Sequence, residues 1–338
     1  MTIHQIFCSV SDILADMDSG GDETRLYQSA RDASRFLEEE IGWFIPVTQT
    51  IKRFGNGRQY FYPRPPVLSI SSITNDGTAL VENTDYVFMR QMWTDGPYLG
   101  LDRLSDAPNF TSFCELDPDS VQITGTFGLF SRVQSTGATL AAALTDSAAS
   151  LLVDNGAKVS PGMILKIENE QILVTGWGAP SEEVAYLNGA LTASADQVTL
   201  DDATDLNTGE VLRIDFEQVK IRDKRADALA LIRSWNGSGK VAHADETPVD
   251  VYRRVNIERA VNGTTAASHA SGTAISRYVV PDDIKFLAVE IATLMYNKAR
   301  SGYQGRIGKA DLGEIMYNDA FPQYDIERIK NNYWIGKS

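Results

Sequence analysis

The chain has 338 residues, 43% hydrophobic and 22% charged, with a formal net charge of −14. That length suffices for two or three domains, because single cores stop growing at roughly 250–300 residues. The acidic balance argues against a protein that grips nucleic-acid phosphates, which needs clustered Lys and Arg, although a conduit through which DNA slides would gain from an acidic wall.

Ser9 opens a Ser-x-x-Asp pattern that closes at Asp12, a capping box for a short helix ended by Gly20 and Gly21. A second helix is predicted from Glu23 to Ile41, with Leu26, Ala30, Ala33, Leu37 and Ile41 on one stripe and Gly42 in the place of a C′ glycine. The period then changes to two. Val47 to Phe54 reads as a strand, Gly55-Asn56-Gly57 as a tight turn and Gln59 to Tyr62 as the returning strand of a hairpin, stopped by Pro63, Pro65 and Pro66. Val67 to Thr74 is a further strand ending in the turn Asn75-Asp76-Gly77, and Tyr86 to Arg90 and Val121 to Phe127 are two more. Gln91 to Pro118, rich in Asp, Pro, Ser and Gly, reads as a long loop.

Between residues 138 and 280 the chain is rich in Ala, Thr, Val, Asp and Gly and contains a repeat. Leu144 to Val174 aligns without gaps on Leu191 to Ile221, at an offset of 47, with ten identities in 31 positions. Asn236 to Val249 aligns on Asn262 to Ile275, at an offset of 26. Two heads are thus followed by two tails. Either one β unit (191–249) is inserted into a loop of its own homologue (144–180 with 251–279), or two units exchange strands. Nesting predicts that strands near 164–174 pair with those near 252–260; exchange predicts pairing with 229–235. The repeat also decides a local ambiguity. Asp223 to Trp235 has Ala226, Leu229 and Ile232 at helical spacing, but its counterpart Tyr252 to Val261 is β-branched, so Leu229 to Trp235 is predicted as a strand.

The helical period returns after Pro281. Asp282 and Asp283 suit a first turn, Ile284, Leu287, Ala288, Ile291, Leu294 and Met295 form the apolar stripe, and Lys298 and Arg300 suit the last turn before Gly302. The rest is polar with scattered aromatics and closes in Tyr324 to Trp334, a short docking segment. The longest apolar run, Phe286 to Tyr296, is too short to span a bilayer and carries Glu290, and the N-terminus lacks the regions of a secretory signal.

No motif assembles a catalytic set. Cys8 and Cys114 make neither a metal motif nor a disulfide framework, which suits a reducing compartment and makes the sequons at Asn109, Asn236 and Asn262 chance matches. His4, His243 and His269 are the only histidines. The last two could be read as a metal pair, but they occupy equivalent places in two copies, so each is expected to make the same structural hydrogen bond in its own copy. Glu170 and Glu217, each followed by Gln, could do acid–base work as a pair, but they too belong to separate copies, so a surface or turn-bonding role is expected. Gly237-Ser238-Gly239-Lys240 hints at a phosphate loop, yet Val241 follows the lysine and the first glycine of that motif is missing. The cluster Trp43, Phe44, Phe54, Tyr60, Phe61 and Tyr62 could be a ligand platform or a shared core. No catalytic, cofactor-binding or metal residue is therefore assigned, and no enzyme activity is expected.

Several segments together resemble the head–tail connector, or adaptor, proteins of long-tailed (siphovirus-type) bacteriophages. They are the short helix from Ser9, the long helix ending Ala33-Ser34-Arg35-Phe36-Leu37-Glu38, then Gly42-Trp43-Phe44 and Gly55-Asn56-Gly57-Arg58. Arg64-Pro65-Pro66-Val67-Leu68-Ser69-Ile70, Asp76-Gly77 and Asp85-Tyr86 follow, and Val280-Pro281-Asp282-Asp283-Ile284-Lys285 opens a helix like that family's C-terminal one. The stretch from Glu258 to Thr273 is similar to a small β module of phage structural proteins. The resemblance implies a helical connector core with β-hairpins (1–132 and 280–305); the chain departs from the family in an inserted all-β domain (138–279), which the repeat makes two similar, nested units, and in a C-terminal tail (306–338), so that the fold expected is α+β. The resemblance further implies a virion protein at the head–tail junction, assembled in the host cytoplasm as a homo-oligomeric ring, commonly a dodecamer, below the portal protein. Its further partners would be tail-completion or tail-terminator proteins and genomic DNA that passes through without specific binding, with no cofactor and no membrane. The alternative is a tail or baseplate protein whose β repeats bind host-surface carbohydrate, which needs aromatics exposed on the module's loops, where Trp177 and Trp235 are the only tryptophans.

Overall fold

In the computed structural model, which describes residues 2–17, 20–89, 97–98, 100–115, 118–301, 306–309, 313–316 and 322–333, the Ser9 capping box forms. Asp12 N donates to Ser9 Oγ at 3.3 Å and Ser9 N to Asp12 Oδ2 at 2.9 Å, opening α1 (Val10–Asp16). Asp22 Oδ1 accepts from Thr24 N at 3.0 Å and Arg25 N at 3.2 Å at the start of α2 (Glu23–Ile41), a cap worth about 1 kcal/mol. Gly42 turns the chain out at φ 85°, donating its N–H to the Glu38 carbonyl at 2.8 Å. The stripe of Leu26, Ala30, Ala33 and Leu37 packs against Ile284, Leu287, Ala288 and Ile291 of α3 (Asp282–Arg300). Ile13 of α1, Ile326 and Ile329 of α4 (Gln323–Asn332), and Phe44, Leu129 and Phe130 complete this core. The tail thus docks through α4; Trp334 lies outside the described residues.

Residues 47–127 supply β1 (Val47–Arg53), β2 (Tyr60–Phe61), β3 (Val67–Asn75), β4 (Thr78–Leu80), β5 (Tyr86–Phe88), β6 (Leu101–Arg103) and β7 (Val121–Phe127). One sheet runs β1-β7-β3-β4 and another β2-β6-β5. Ile51, Ile73, Ile123 and Phe127 of the first share a core with Phe61, Tyr86 and Leu101 of the second. The expected 47–62 hairpin does not form. β1 lies antiparallel to β7, Val47 opposite Phe127 and Arg53 opposite Val121, while β2 pairs with β6. Gly55 instead passes under the 113–114 backbone, where a Cβ would stand 2.0 Å from the Cys114 carbonyl oxygen. Alternation marks a strand with one buried face, but the partner is whichever strand completes the core. β6 falls within the stretch expected to be a loop, of which 91–96, 99 and 116–117 lie outside the described residues.

The β module contributes β8 (Val133–Thr139), β9 (Ser150–Leu152), β10 (Ile164–Ile167), β11 (Glu170–Trp177), β12 (Ser181–Tyr186) and β13 (Gln197–Thr199). β14 (Val211–Ile214), β15 (Glu217–Arg225), β16 (Ala228–Ile232), β17 (Pro248–Val251), β18 (Arg254–Glu258) and β19 (Ala274–Tyr278) follow. They form two six-stranded sheets, β8-β19-β10-β11-β18-β9 and β12-β17-β14-β15-β16-β13. Replacing each strand of the first by its repeat counterpart gives the second. β11 pairs with β18, Val174 opposite Ile257, whereas β15 pairs with β16. This is the nested pairing, not strand exchange. The inner unit joins β15 to β16 by Ala226-Asp227, the place where the outer unit carries all of β12 to β17. Leu229 lies in a strand, as the repeat requires.

A helical connector core is not what the chain forms. It is mostly β, with 21% of residues helical. The apolar stripes of α1, α2 and α3 are real, but three helices close only one layer, and residues 47–127 build their own two-sheet core beside it. A fifth sheet pairs β20 (Arg306–Lys309) with β21 (Gly313–Met316). The outer unit is mounted on the helical layer through Ile6, Ile45, Ile164, Leu173 and Val261, and Gln171 Nε2 donates to the Pro46 carbonyl at 2.9 Å. Among the described residues no helix is long and apolar enough to cross a membrane.

Candidate functional site

The densest groups of ionisable side chains lie inside the two β units, and they are copies of each other. In the inner unit His243 places Nδ1 2.8 Å from Asp215 Oδ2 and Nε2 3.0 Å from Glu217 Oε2. Glu217 accepts two hydrogen bonds from Arg233, at 2.7 and 2.6 Å, and one each from the Ser234 and Val241 N–H groups. In the outer unit His269 meets Glu168 at 2.8 Å and Glu170 at 2.9 Å, and Glu170 accepts from Arg259 at 2.7 and 2.6 Å and from the Ala260 and Ala267 N–H groups. The arginines also hold loop carbonyls, Ala195 and Val241 for Arg233 and Thr145 and Ala267 for Arg259. Each triad therefore ties the loop before β9 or β13, the turn from β10 to β11 or from β14 to β15, and the returning tail into one knot.

Burial alone would raise the Glu217 carboxyl, but Arg233, His243 and the two backbone N–H groups outweigh it and hold it at about 2. Glu170 is lowered by the same set of partners against the same burial. A general acid or base works best with a value near the operating pH; these carboxylates stay ionised and are fully engaged by donors. The two histidines do not converge on a shared ion. Each is closed within its own unit, and among the described residues no group of three or more His, Cys, Asp or Glu side chains could hold a metal. Arg233 and Arg259 also stand at the offset of 26, just outside the aligned tails. Carrying the tail alignment three residues upstream from Asn236 would have found them.

The remaining candidates disperse. Ser238 of the phosphate-loop-like turn donates to the Gln218 and Trp235 carbonyls, and the next element is the strand β17 rather than a helix. His4 binds Glu258 Oε2 at 3.0 Å and donates its N–H to Asn262 Oδ1 at 2.7 Å, pinning the N-terminal segment to the outer unit. Cys8 is buried, and burial with Asp12 nearby pushes its thiol far above the usual range. Of the aromatic cluster, Phe44 joins the helical core, Trp43 and Phe61 the two-sheet core, and Phe54 and Tyr62 face solvent. An apolar groove of about 430 Å³ lies near them, walled by Ile41, Trp43, Pro65, Pro66, Leu129 and Tyr333.

One buried acid gave no signal in the sequence. Glu23, at the first residue of α2, accepts the Trp235 indole N–H at 3.0 Å, and its own N–H donates to Asn236 Oδ1 at 2.8 Å. Burial raises its carboxyl, while indole hydrogen bonds from Trp235 and Trp177 oppose the rise. Lys220 Nζ sits 4.4 Å from the Trp235 ring centre. An acid in a first helical turn is ordinary, so nothing marked it. This junction locks the inner unit onto α2. Glu210 locks it to the outer unit, accepting from Gly156 N at 2.9 Å and Arg253 Nε at 2.6 Å. No protein-family model, curated protein or solved structure matches the chain.

Proposed function

We propose that the chain is a structural virion protein, a head-to-tail adaptor that forms a ring below the portal and connects the capsid to the tail of a long-tailed bacteriophage. The observation that carries this reading is that the helical segments resembling connector proteins, far apart in sequence, meet in one core: α1 and α2 pack with α3 around Phe44, Leu129 and Phe130. A ring needs a firm layer at which neighbouring subunits can abut, and the packed helices would supply it. The nested module is mounted on that layer at two places, through Asn262 and Gln171 of the outer unit and Trp235 and Asn236 of the inner one. The buried triads hold the module's own loops.

The carbohydrate-binding alternative meets only part of its expectation: Phe216 is exposed on a module turn, but Trp235 is buried and Trp177 half-buried. Trp235 is 6% exposed with its indole N–H committed to Glu23. Trp177 packs against the outer core and Tyr252. The adaptor reading is tested by head–tail joining in vitro. Filled heads made without this chain are expected to accept tails only after the purified chain is added. Joining without it would overturn the reading.

A further inference from the structure

Because the two β units share sheet order, turns and buried triads, the outer unit shows what this fold requires of its surface. Measured against it, the inner unit is more apolar than folding needs. Five large apolar side chains are exposed on the inner unit: Val184, Tyr186, Phe216, Ile232 and Val241. Their outer counterparts are Gly137, Thr139, Asn169, Glu258 and Ala267, none of them a large apolar residue. Val133 is the one exposed large apolar residue among the outer unit's own strands.

Three of the five gather at one end of the inner sheet. Val249 pairs with both Ala185 and Ile214, so Pro248 stands between Tyr186 and the Asp215–Phe216 turn. Val241 is tied beside that turn by its N–H bond to Glu217. Phe216 is 96% exposed, the most exposed large apolar side chain described, while Asn169 takes its place on a turn of the same form, with Glu168 and Asp215 both at φ 52°. Exposed apolar side chains gathered in one place mark interaction sites.

We infer that this end of the inner unit, built on Phe216, Tyr186 and Val241, is a knob that docks in an apolar socket rimmed by Lys or Arg on a different protein of the particle. The inference rests on the adaptor reading and names the module's contact. The rim decides the partner's charge. Asp215, Glu183, Asp201, Asp245 and Glu246 are all exposed around the two aromatics, with Lys240 the cation beside Val241. Glu183 accepts the Tyr186 hydroxyl at 3.1 Å, and Asp201 accepts the Tyr186 N–H at 2.7 Å. A second copy of a chain carrying −14 is a poor match for an acidic rim.

The test uses the full chain with Phe216→Asn, Tyr186→Thr and Val241→Ala together, each the residue the outer unit already carries at that place. The unfolding midpoint should match wild type, which separates lost contact from lost fold. Binding is read on purified portal rings and purified tail tubes, with a glycan array and sedimentation of the chain alone as controls. The expected result is at least about a 30-fold loss of affinity for one of the two proteins, since central aromatic anchors dominate interfaces. If wild type binds portal or tail and the triple variant binds as well, the knob assignment is wrong and the adaptor reading stands. If wild type binds neither, both fall. Loss of glycan binding or of self-association instead would overturn the assignment.

Discussion

Replacing Glu217 by Gln would take one charge out of a closed knot. The carboxylate receives two hydrogen bonds from Arg233, one from His243 and two from backbone N–H groups, and the Arg233 and Glu217 side chains are 3% and 0% exposed. A Gln amide accepts through one oxygen only, and its NH₂ is turned towards other donors. Removing one partner of a buried ion pair costs about 3–5 kcal/mol. The acid side gives a similar size: the gap between an ordinary 4.5 and about 2 for this carboxyl converts to about 3 kcal/mol. At roughly 2–4 °C per kcal/mol for a domain of this size, the midpoint followed by far-ultraviolet circular dichroism should fall by about 6–20 °C. Glu170→Gln should cost the same to within about 1 kcal/mol, because Arg259 and His269 stand at matching distances. Shifts below about 2 °C in both variants would refute the claim that the triads hold the units together.

Acid should find the same groups. The folded Glu217 carboxyl lies below its unfolded value, so its contribution is fully present above pH 4.5 and drains as pH falls toward about 2; Glu170 moves in the same direction. Urea midpoints should stay level from about pH 7 to 5 and fall below that, with a shallower slope in Glu217→Gln. Trp235→Phe removes the indole donor from buried Glu23 and should cost about 1–3 kcal/mol, read as faster hydrogen exchange at the Thr24 and Arg25 amides than in wild type. Gly156→Ala would place a Cβ 2.1 Å from the Tyr252 carbonyl oxygen, where the outer unit meets the crossover from the inner one. A loss of at least about 2 kcal/mol is expected in urea unfolding, whereas Gly77→Ala, with no atom within 4 Å but φ at 76°, should cost less.

What the residues revealed depended on how local the cause was. α2 was legible because its stripe and C′ glycine lie in or beside the segment, although its Asp22 cap was not read. The nesting was legible because the two offsets, 47 and 26, order the copies without any knowledge of contacts. The partner of β1 was not, since β7 begins 68 residues after the end of β1 (Arg53 to Val121) and nothing near β1 names it. β6 was missed because three residues are too few to show a period. The overall balance of helix and sheet was misjudged for a different reason. Each helical stripe announces a buried face but not how many layers share that core, and here Phe44, Leu129 and Phe130 from the sheet side supply what further helices would have supplied. Of the site residues, the histidines and Glu170 and Glu217 were correctly kept apart by the repeat, while Glu23 depends on a tryptophan 212 positions away.

The adaptor reading is tested most directly by electron microscopy of the purified chain, alone and mixed with portal rings. The account predicts a closed cyclic ring, coaxial with the portal and stacked on one face of it, with the β modules projecting. A monomer or trimer that leaves the portal bare would contradict it.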